Sequence, residues 1–325
     1  MDGAIVVSRL GGPEVLEWTR RAPGEPGSGQ VLVRHSAVGL NFIDVYHRTG
    51  LYPLTLPFTP GVEAAGVVER LGAGVSDLGV GDRVAYQMNG PLGSYCEARV
   101  MPREKVFPLP KSISDETAAA IMLKGCTVEY LVRRTFHVKA GDQALVHAAA
   151  GGVGLLLCQW LKALGATVIG TVGSADKAKL VQQNGCDHAI LYRTEDVAKR
   201  VREITGGRGV DVAYDSVGAA TFLGSLDSLR PRGMMVSFGN ASGPVEPIAP
   251  LLLAQKGSLF LTRPTIAHYY ASRDEAAEGV AALFDVVGSG KVRAHIGARY
   301  PLAEAAEAHR ALEARETVGS TILVA

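Results

Sequence analysis

The chain has 325 residues, more than one ordinary domain, so two domains are the natural expectation. Hydrophobic residues make up 47% and charged residues 20%, the balance of a soluble globular protein. A net charge of +1 leaves no electrostatic footprint for nucleic acid or an anionic membrane, and no stretch reads as a membrane span or signal peptide, so neither partner is expected.

From Gly3 to about Ile121 the pattern is β-rich and punctuated by glycine. "QVLVRHSAVGL" and "AAGVVERLG" alternate or run apolar over strand lengths, and "GAGVSDLGVGDRVAY" reads as a turn into a further strand. No long amphipathic helix interrupts them before "SDETAAAIML", where Ser114 caps and Glu116 opens a helix. This part predicts a compact β-barrel-like fold.

From about Leu123 to Pro264 the rhythm becomes strand, helix, strand. The most telling stretch is "QALVHAAAGGVGLLLCQWLKALG", Gln143 to Gly165. Ala144 to Ala148 predicts a short buried strand. Ala149, Gly151 and Gly154 stand at the small-residue positions of a G-x-G-x-x-G turn, with Ala149 replacing the first glycine. A helix follows, stopped by Gly165. Such a turn lets backbone approach a pyrophosphate, and the helix N-terminus offers it free N–H groups. Further strands are predicted at "TVIGTV", "HAILY", "VDVAYDSVG", "GMMVSFG" and "SLFLTRP", with helices over "EDVAKRVREIT" and about Ala220 to Leu229. Six strands alternating with helices predict a doubly wound parallel sheet, an α/β fold. Ligand is expected beyond the strands' carboxyl ends: near Gly151 to Gly154, Gly173 to Lys177, Ser216, Phe238 to Ala241, and Pro264, Thr265 and Ile266.

An NAD-preferring turn wants a carboxylate about 20 residues on, at the end of the second strand, to bond the ribose 2′-hydroxyl. Here that strand runs into Gly173-Ser174-Ala175-Asp176-Lys177, with no carboxylate at its tip. Ser174 is the expected helix cap and Lys177 falls in the first turn, where it would attract a 2′-phosphate. The expectation is NADPH. The alternative is that Asp176 takes the ribose and Lys177 is a solvated lysine.

The tail predicts helices from about Asp274 to Val287 and from Ala303 to Arg315, then a strand, "STILVA", that completes a sheet made elsewhere. The expected domains are therefore 1–122 with 267–325, and 123–266. Cys96, Cys126, Cys158 and Cys186 are dispersed with no C-x-x-C pair, so a reducing cytoplasm is expected.

Several segments together resemble the medium-chain dehydrogenase/reductase superfamily, and within it the zinc-free, zeta-crystallin-like NADPH:quinone oxidoreductases. They include "GGPEVLE", "VGLNFIDVYHRTGLYP", "PGVEAAGVVERLG", "GVGDRVAY", "LKGCTVEYL", "VHAAAGGVG", "VSFGNASGPV" and "LTRPT". The resemblance implies a GroES-like catalytic domain beside a Rossmann domain, and a homodimer with an edge in "GPVEPIAPLLLAQKGSLFLTRP". It implies cofactor contacts at Asn41, Phe42, Thr127 and Tyr130, at Gly152 and Val153 of the turn, and at Gly173, Ser174, Lys177 and Tyr192. It adds Ser216, Phe238, Gly239 and Asn240, then Pro264 and, in the tail, Arg315. Zinc-dependent relatives supply a cysteine and a histidine where this chain has Asn41 and Val62, and Glu63 and Cys126 alone do not make a metal site, so none is expected.

Without a Lewis acid, alcohol oxidation is hard, whereas an electrophilic acceptor needs less help. The expected acceptor is a quinone, with an α,β-unsaturated ketone or aldehyde as the alternative. An RNA-binding or crystallin-type structural role, known for relatives, is set against the neutral charge and complete dinucleotide turn. Asn41, Tyr46 and Tyr52 are the expected pocket wall, in the loop segment "DVYHRTGLYP" and just before it. His47, Asp44 and Glu63 are weaker candidates for delivering a proton.

Overall fold

The computed structural model describes residues 1–87 and 92–325. The chain divides into two compact units: Met1–Cys126 with Tyr270–Gly288 and Ala294–Ala325, and Thr127–Tyr269 with Ser289–Arg293.

The first unit begins with a hairpin-like pair, β1 (Asp2–Val6) and β2 (Glu17–Arg21), paired antiparallel. Then follow β3 (Gln30–Gly39), α1 (Phe42–Thr49), β4 (Ala64–Leu71), β5 (Arg83–Tyr86), β6 (Ala98–Pro102), β7 (Phe107–Pro108) and α2 (Asp115–Tyr130). Strand β3 is the hub, antiparallel to both β4 and β6. Its apolar residues Val31, Val33 and Val38 enter one core with Ile5, Val68, Val84 and Met101. Helix α1 was not anticipated, since this stretch reads as loop. Its signals are local: Asp44 at the third position accepts the Asn41 amide, and Gly50 (φ +83°) ends it in the left-handed region. Helix α2 starts at the Ser114 cap, whose hydroxyl accepts the Thr117 amide at 3.1 Å. It runs on through "LKGCTVEY" and closes in a π-type turn, Leu131–Thr135.

The second unit alternates β8 (Gln143–Val146), α3 (Gly152–Ala163), β9 (Thr167–Val172), α4 (Ala175–Gln183), β10 (His188–Leu191), α5 (Val197–Ile204), β11 (Val210–Asp215), α6 (Phe222–Ser228), β12 (Leu229–Ser237), α7 (Leu251–Gln255), β13 (Phe260–Thr262) and α8 (Ile266–Tyr269). The six strands lie in the order β10-β9-β8-β11-β12-β13, all parallel. Strand order reverses between β8 and β11, the place where such sheets bind ligands. Leu145, Ile169, Ala213, Met235 and Leu226 build its core.

The tail returns to the first unit as α9 (Arg273–Gly288), β14 (Ile296–Pro301), α10 (Ala305–Glu313) and β15 (Ser320–Val324). Strand β15 pairs antiparallel with β3, Leu323 opposite Val38, as a completing strand should. Strand β14, parallel to β15, was not anticipated. The units part at 126/127 and 269/270, against 122/123 and 266/267 read from the sequence.

Candidate functional site

In the second unit the turn after β8 is shaped by backbone. Ala148 takes φ +50°, and an ideal Cβ on Gly154 would lie 2.4 Å from the Ala148 carbonyl oxygen and 2.6 Å from that of Ala149. Neither oxygen can swing away, so Gly154 is required for α3 to pack against the turn. Ala149 at the first-glycine position is accommodated by its neighbour: a Cβ on Gly170 of β9 would meet the Ala149 methyl at 2.8 Å. Gly151 caps α3 in extended conformation, leaving Gly152 and Val153 as the first residues of the helix, their N–H groups at its open end.

At the end of β9, Ser174 caps α4 and accepts the Lys177 amide. The Asp176 carboxylate is 95% exposed, its ion-pair partner Lys179 at 3.7 Å. It is solvated rather than aimed at the strand tip. The Tyr192 hydroxyl stands over Gly173, 2.9 Å from where a Cβ would be, with the Arg193 guanidinium beside it. Across the reversal, the Asp215 carboxylate accepts the Val217 and Gly218 amides and the Thr221 and Ser225 hydroxyls, which fixes the turn at Ser216. That turn carries the next: Phe238 N–H bonds to the Asp215 carbonyl, Ala241 N–H to that of Ser216, and a Cβ on Gly239 would lie 2.3 Å from the Ser216 oxygen. Asn240 sits against Gly218. Tyr130 is buried and stacked on Tyr269, ring centroids 4.7 Å apart, with Thr127 one helical turn before it. Burial pushes the Tyr130 phenol well up, against the pull of Arg263 and the Thr127 hydrogen bond, so it is neutral. Pro264 and Ile266 are buried and Thr265 partly so, just past β13.

In the first unit the expected acceptor residues group around α1. Tyr46 lies on the helix, not in a loop. Its ring contacts Phe42 (6.3 Å) and, edge-on, Tyr52 (5.2 Å), and the Tyr52 amide bonds to the Tyr46 carbonyl. His47 packs against Tyr52, and burial lowers its pKa to about 4, so it is neutral at pH 7. Beneath them runs a buried polar chain. The Arg48 guanidinium pairs with Glu313 at 2.7 Å and donates to His309 Nδ1 at 3.1 Å. A guanidinium cannot accept, so His309 carries its proton on Nε2 and donates to the Tyr95 hydroxyl, 3.1 Å away. Tyr95 in turn donates to Asp44 Oδ2 at 3.0 Å, which also holds the Asn41 amide at 2.9 Å. Burial lowers His309 to about 3 and raises Asp44 to about 7; Glu63 pushes Asp44 the same way, against the Asn41 and Tyr95 donors. The Asn41 side chain donates to Glu63 Oε1 at 2.7 Å, and Lys124 Nζ reaches the same oxygen at 3.0 Å. Arg315, also in this unit, follows α10 with φ +60°.

The alcohol dehydrogenase GroES-like domain model matches residues 27–111, and that of the zinc-binding dehydrogenases matches 152–285. The chain is 51% identical over 325 residues to a quinone oxidoreductase of Pseudomonas aeruginosa, covering all of both proteins. It is 47% identical to a 2-haloacrylate reductase of a Burkholderia species, covering 99% of this chain and 98% of that one. Among solved structures, Escherichia coli quinone oxidoreductase complexed with NADPH superposes with a TM-score of 0.97 at 47% identity, over 99% of this chain and 100% of that one. This chain belongs to the quinone oxidoreductase family of medium-chain dehydrogenase/reductases.

A quinone oxidoreductase of this superfamily has a GroES-like domain and a Rossmann domain, and the two sheets described above are these. Asn41 and Val62, the two positions at which zinc ligands were expected to be replaced, are both buried. Among the described residues no group of three or more His, Cys, Asp or Glu is placed to hold a metal. No helix among them is long and apolar enough to cross a membrane. Of the expected residues, Asn41, Phe42, Asp44, Tyr46, His47, Tyr52, Glu63 and Arg315 belong to the GroES-like unit and all the others to the Rossmann unit. Sequence reasoning passed over Arg193, Asp215 and Lys124. Lys124 carried a readable signal, a lone charge in the apolar run "TAAAIMLKGCTV".

Proposed function

We propose that this chain is a metal-independent quinone oxidoreductase that uses NADPH. The observation that carries the reading is the end of β9. Tyr192 and Arg193 stand over Gly173 there, Ser174 caps α4 through the Lys177 amide, the Asp176 carboxylate is turned to solvent, and quinone oxidoreductases match the whole chain at about half identity. The residues fit a dinucleotide because the cradle is empty of side chains where a Cβ would collide with backbone, at Gly154 and Gly239. We assign Gly151, Gly152, Val153 and Gly154 to the pyrophosphate, and Gly173, Ser174, Lys177 and Tyr192 to the 2′-phosphate end. Ser216, Phe238 to Ala241, Pro264, Thr265, Ile266, Thr127 and Tyr130 are assigned to the remainder, Asn240 to the carboxamide; in the GroES-like unit Asn41 is assigned, with Tyr46 and Tyr52, to the acceptor wall. Bound there, NADPH supplies the hydride.

The protein's part is positioning and charge stabilisation. Tyr46 and Tyr52 form an edge-on aromatic pair on which a flat acceptor can rest. A phenol can donate to the oxyanion that develops on the acceptor. Neutral His47 is no acid at pH 7, and the hydroquinone oxygen takes its proton from water. The identity to a 2-haloacrylate reductase supports activated carbon–carbon double bonds as a second acceptor class.

We assign the protein to the cytoplasm, in keeping with four free, buried cysteines. We infer a homodimer through the β13 edge, where Phe260 is 59% and nearby Leu251 64% exposed. Sedimentation tests this: a monomer at micromolar concentration would contradict it. The cofactor assignment is tested by titrating NADPH and NADH into wild type and Lys177→Ala. A charge-assisted contact is worth about 1.5–3 kcal/mol, so NADPH should weaken roughly 10- to 100-fold. NADH should be unchanged, and equal loss of both would contradict the assignment.

A further inference from the structure

We propose that the buried Lys124–Glu63 pair is a positioning device for Asn41, setting which end of its amide meets the acceptor. The proposal rests on the placing of Asn41 in the site, made above. All three side chains are buried, Glu63 wholly. Glu63 stands just before β4 and Lys124 in the middle of α2, 61 residues apart. Neither charge closes a cap or pairs strands.

The geometry gives Asn41 one orientation. Glu63 Oε1 takes the Asn41 Nδ2 at 2.7 Å and the Lys124 ammonium at 3.0 Å, while Oε2 takes the Leu123 amide at 2.5 Å. A carboxylate only accepts, so the NH₂ of Asn41 must face it and the amide oxygen must face away. An amide at position 63 could donate as well as accept, which would leave only the long 3.5 Å bond from Asn41 Nδ2 to the Gly39 carbonyl to set the orientation. Lys124 balances the charge that makes Glu63 an acceptor only, and the three donors together repay its removal from water.

The backbone has made room for this carboxylate. A Cβ on Gly39 would lie 2.1 Å from Glu63 Oε1 and 2.4 Å from the Ala119 carbonyl oxygen, so the hub strand gives up a side chain where Glu63 is seated. From the other side Asp44 Oδ2 holds the Asn41 amide nitrogen. Asn41 is thus gripped at main chain by Asp44 and at side chain by Glu63. A buried ion pair retained for stability alone is commonly matched or bettered by apolar side chains of the same size. One whose third partner is a site residue has a further use, which is orientation.

The test is a double-mutant cycle with the full-length enzyme, NADPH and 1,4-benzoquinone. Glu63→Gln/Lys124→Met removes both charges together, so no unpaired charge stays buried. In the wild-type background kcat/KM for the quinone should fall about 10- to 100-fold, mostly in kcat. In an Asn41→Ala background the same pair of changes should cost less than about twofold. A fall of equal size in both backgrounds, or no fall in the first, overturns the proposal. If Asn41→Ala alone leaves kcat/KM unchanged for every acceptor, the placing of Asn41 in the site fails, and the proposal with it. If Asn41→Ala is impaired but uncoupled, only the proposal fails. Should the double variant not purify folded, Glu63→Gln alone, isosteric and retaining Lys124, enters the same cycle with the same outcomes. Lys124→Arg, which keeps the charge, should stay within about fivefold of wild type.

Discussion

Around Ala148–Gly154 the backbone itself leaves the room proposed for a ligand, whereas around α1 the proposed acceptor residues are held by buried polar side chains. The first design depends on what is missing: a Cβ at Gly154 would strike two carbonyl oxygens. The second depends on what is present, a run of hydrogen bonds from Glu313 through Arg48, His309, Tyr95 and Asp44 to Asn41. A backbone-built site should therefore tolerate changes of side chain nearby but no added methyl. A side-chain-built one should lose function in graded steps and respond to pH.

The largest expected effect is on the backbone-built region. Gly154→Ala should cost about 3 kcal/mol of stability by forcing the turn open, and should weaken NADPH more than tenfold. Urea unfolding and cofactor titration read both, and an unchanged variant would mean the turn is not rigid. Next comes Arg48→Met, which strips the donor from His309 and the partner from Glu313. Glu313 is 35% exposed and regains water, so the loss should be about 2 kcal/mol. A loss below about 0.5 kcal/mol would show that the chain of hydrogen bonds is incidental.

The same chain predicts a pH response. Native Asp44 keeps its proton up to about pH 7, whereas in the unfolded chain it is released near its ordinary value of 3.8. Between these the native state binds more protons, so stability falls as pH rises through that window. Asp44→Asn should remove a component on the order of 2 kcal/mol from the difference between pH 5 and pH 8. The reverse slope would mean that Asp44 is ionised in the folded protein.

Smaller effects are expected at the aromatic pair. Tyr46→Phe and Tyr52→Phe should each cost about fivefold in turnover, one hydrogen bond's worth, and the alanine variants more, through acceptor binding. A loss beyond roughly a hundredfold for either Phe variant would make that tyrosine a general acid. Smallest of all, prolonged chelation should leave activity unchanged. One tightly bound zinc per chain, lost together with activity, would contradict the metal-independent reading.

The same contrast explains how much was legible in the sequence. The Rossmann order, the glycine turn and the Ser174 cap depend on residues a few positions apart, and were readable there. The Asn41–Glu63 contact spans 22 residues and Arg48–His309 spans 261, and no local pattern records either. Helix α1 escaped because eight residues among strands give too short a period to read, although Asn41, Asp44 and Gly50 carried its caps. Strand β14 escaped because it alternates between exposed and half-buried positions at a sheet edge, with no apolar face to announce it. Arg193 was passed over because its place beside Gly173 depends on how β10 ends next to β9.

The central claim is tested most directly by steady-state kinetics of the purified enzyme with NADPH and NADH against a quinone, an enone and an aldehyde. The account predicts the highest kcat/KM for NADPH with the quinone, at least tenfold above NADH with the same acceptor, and little or no turnover of the aldehyde. Enones surpassing every quinone would move the substrate to activated double bonds. Equal use of NADH, or no oxidation of NADPH by any of these acceptors, would contradict the account.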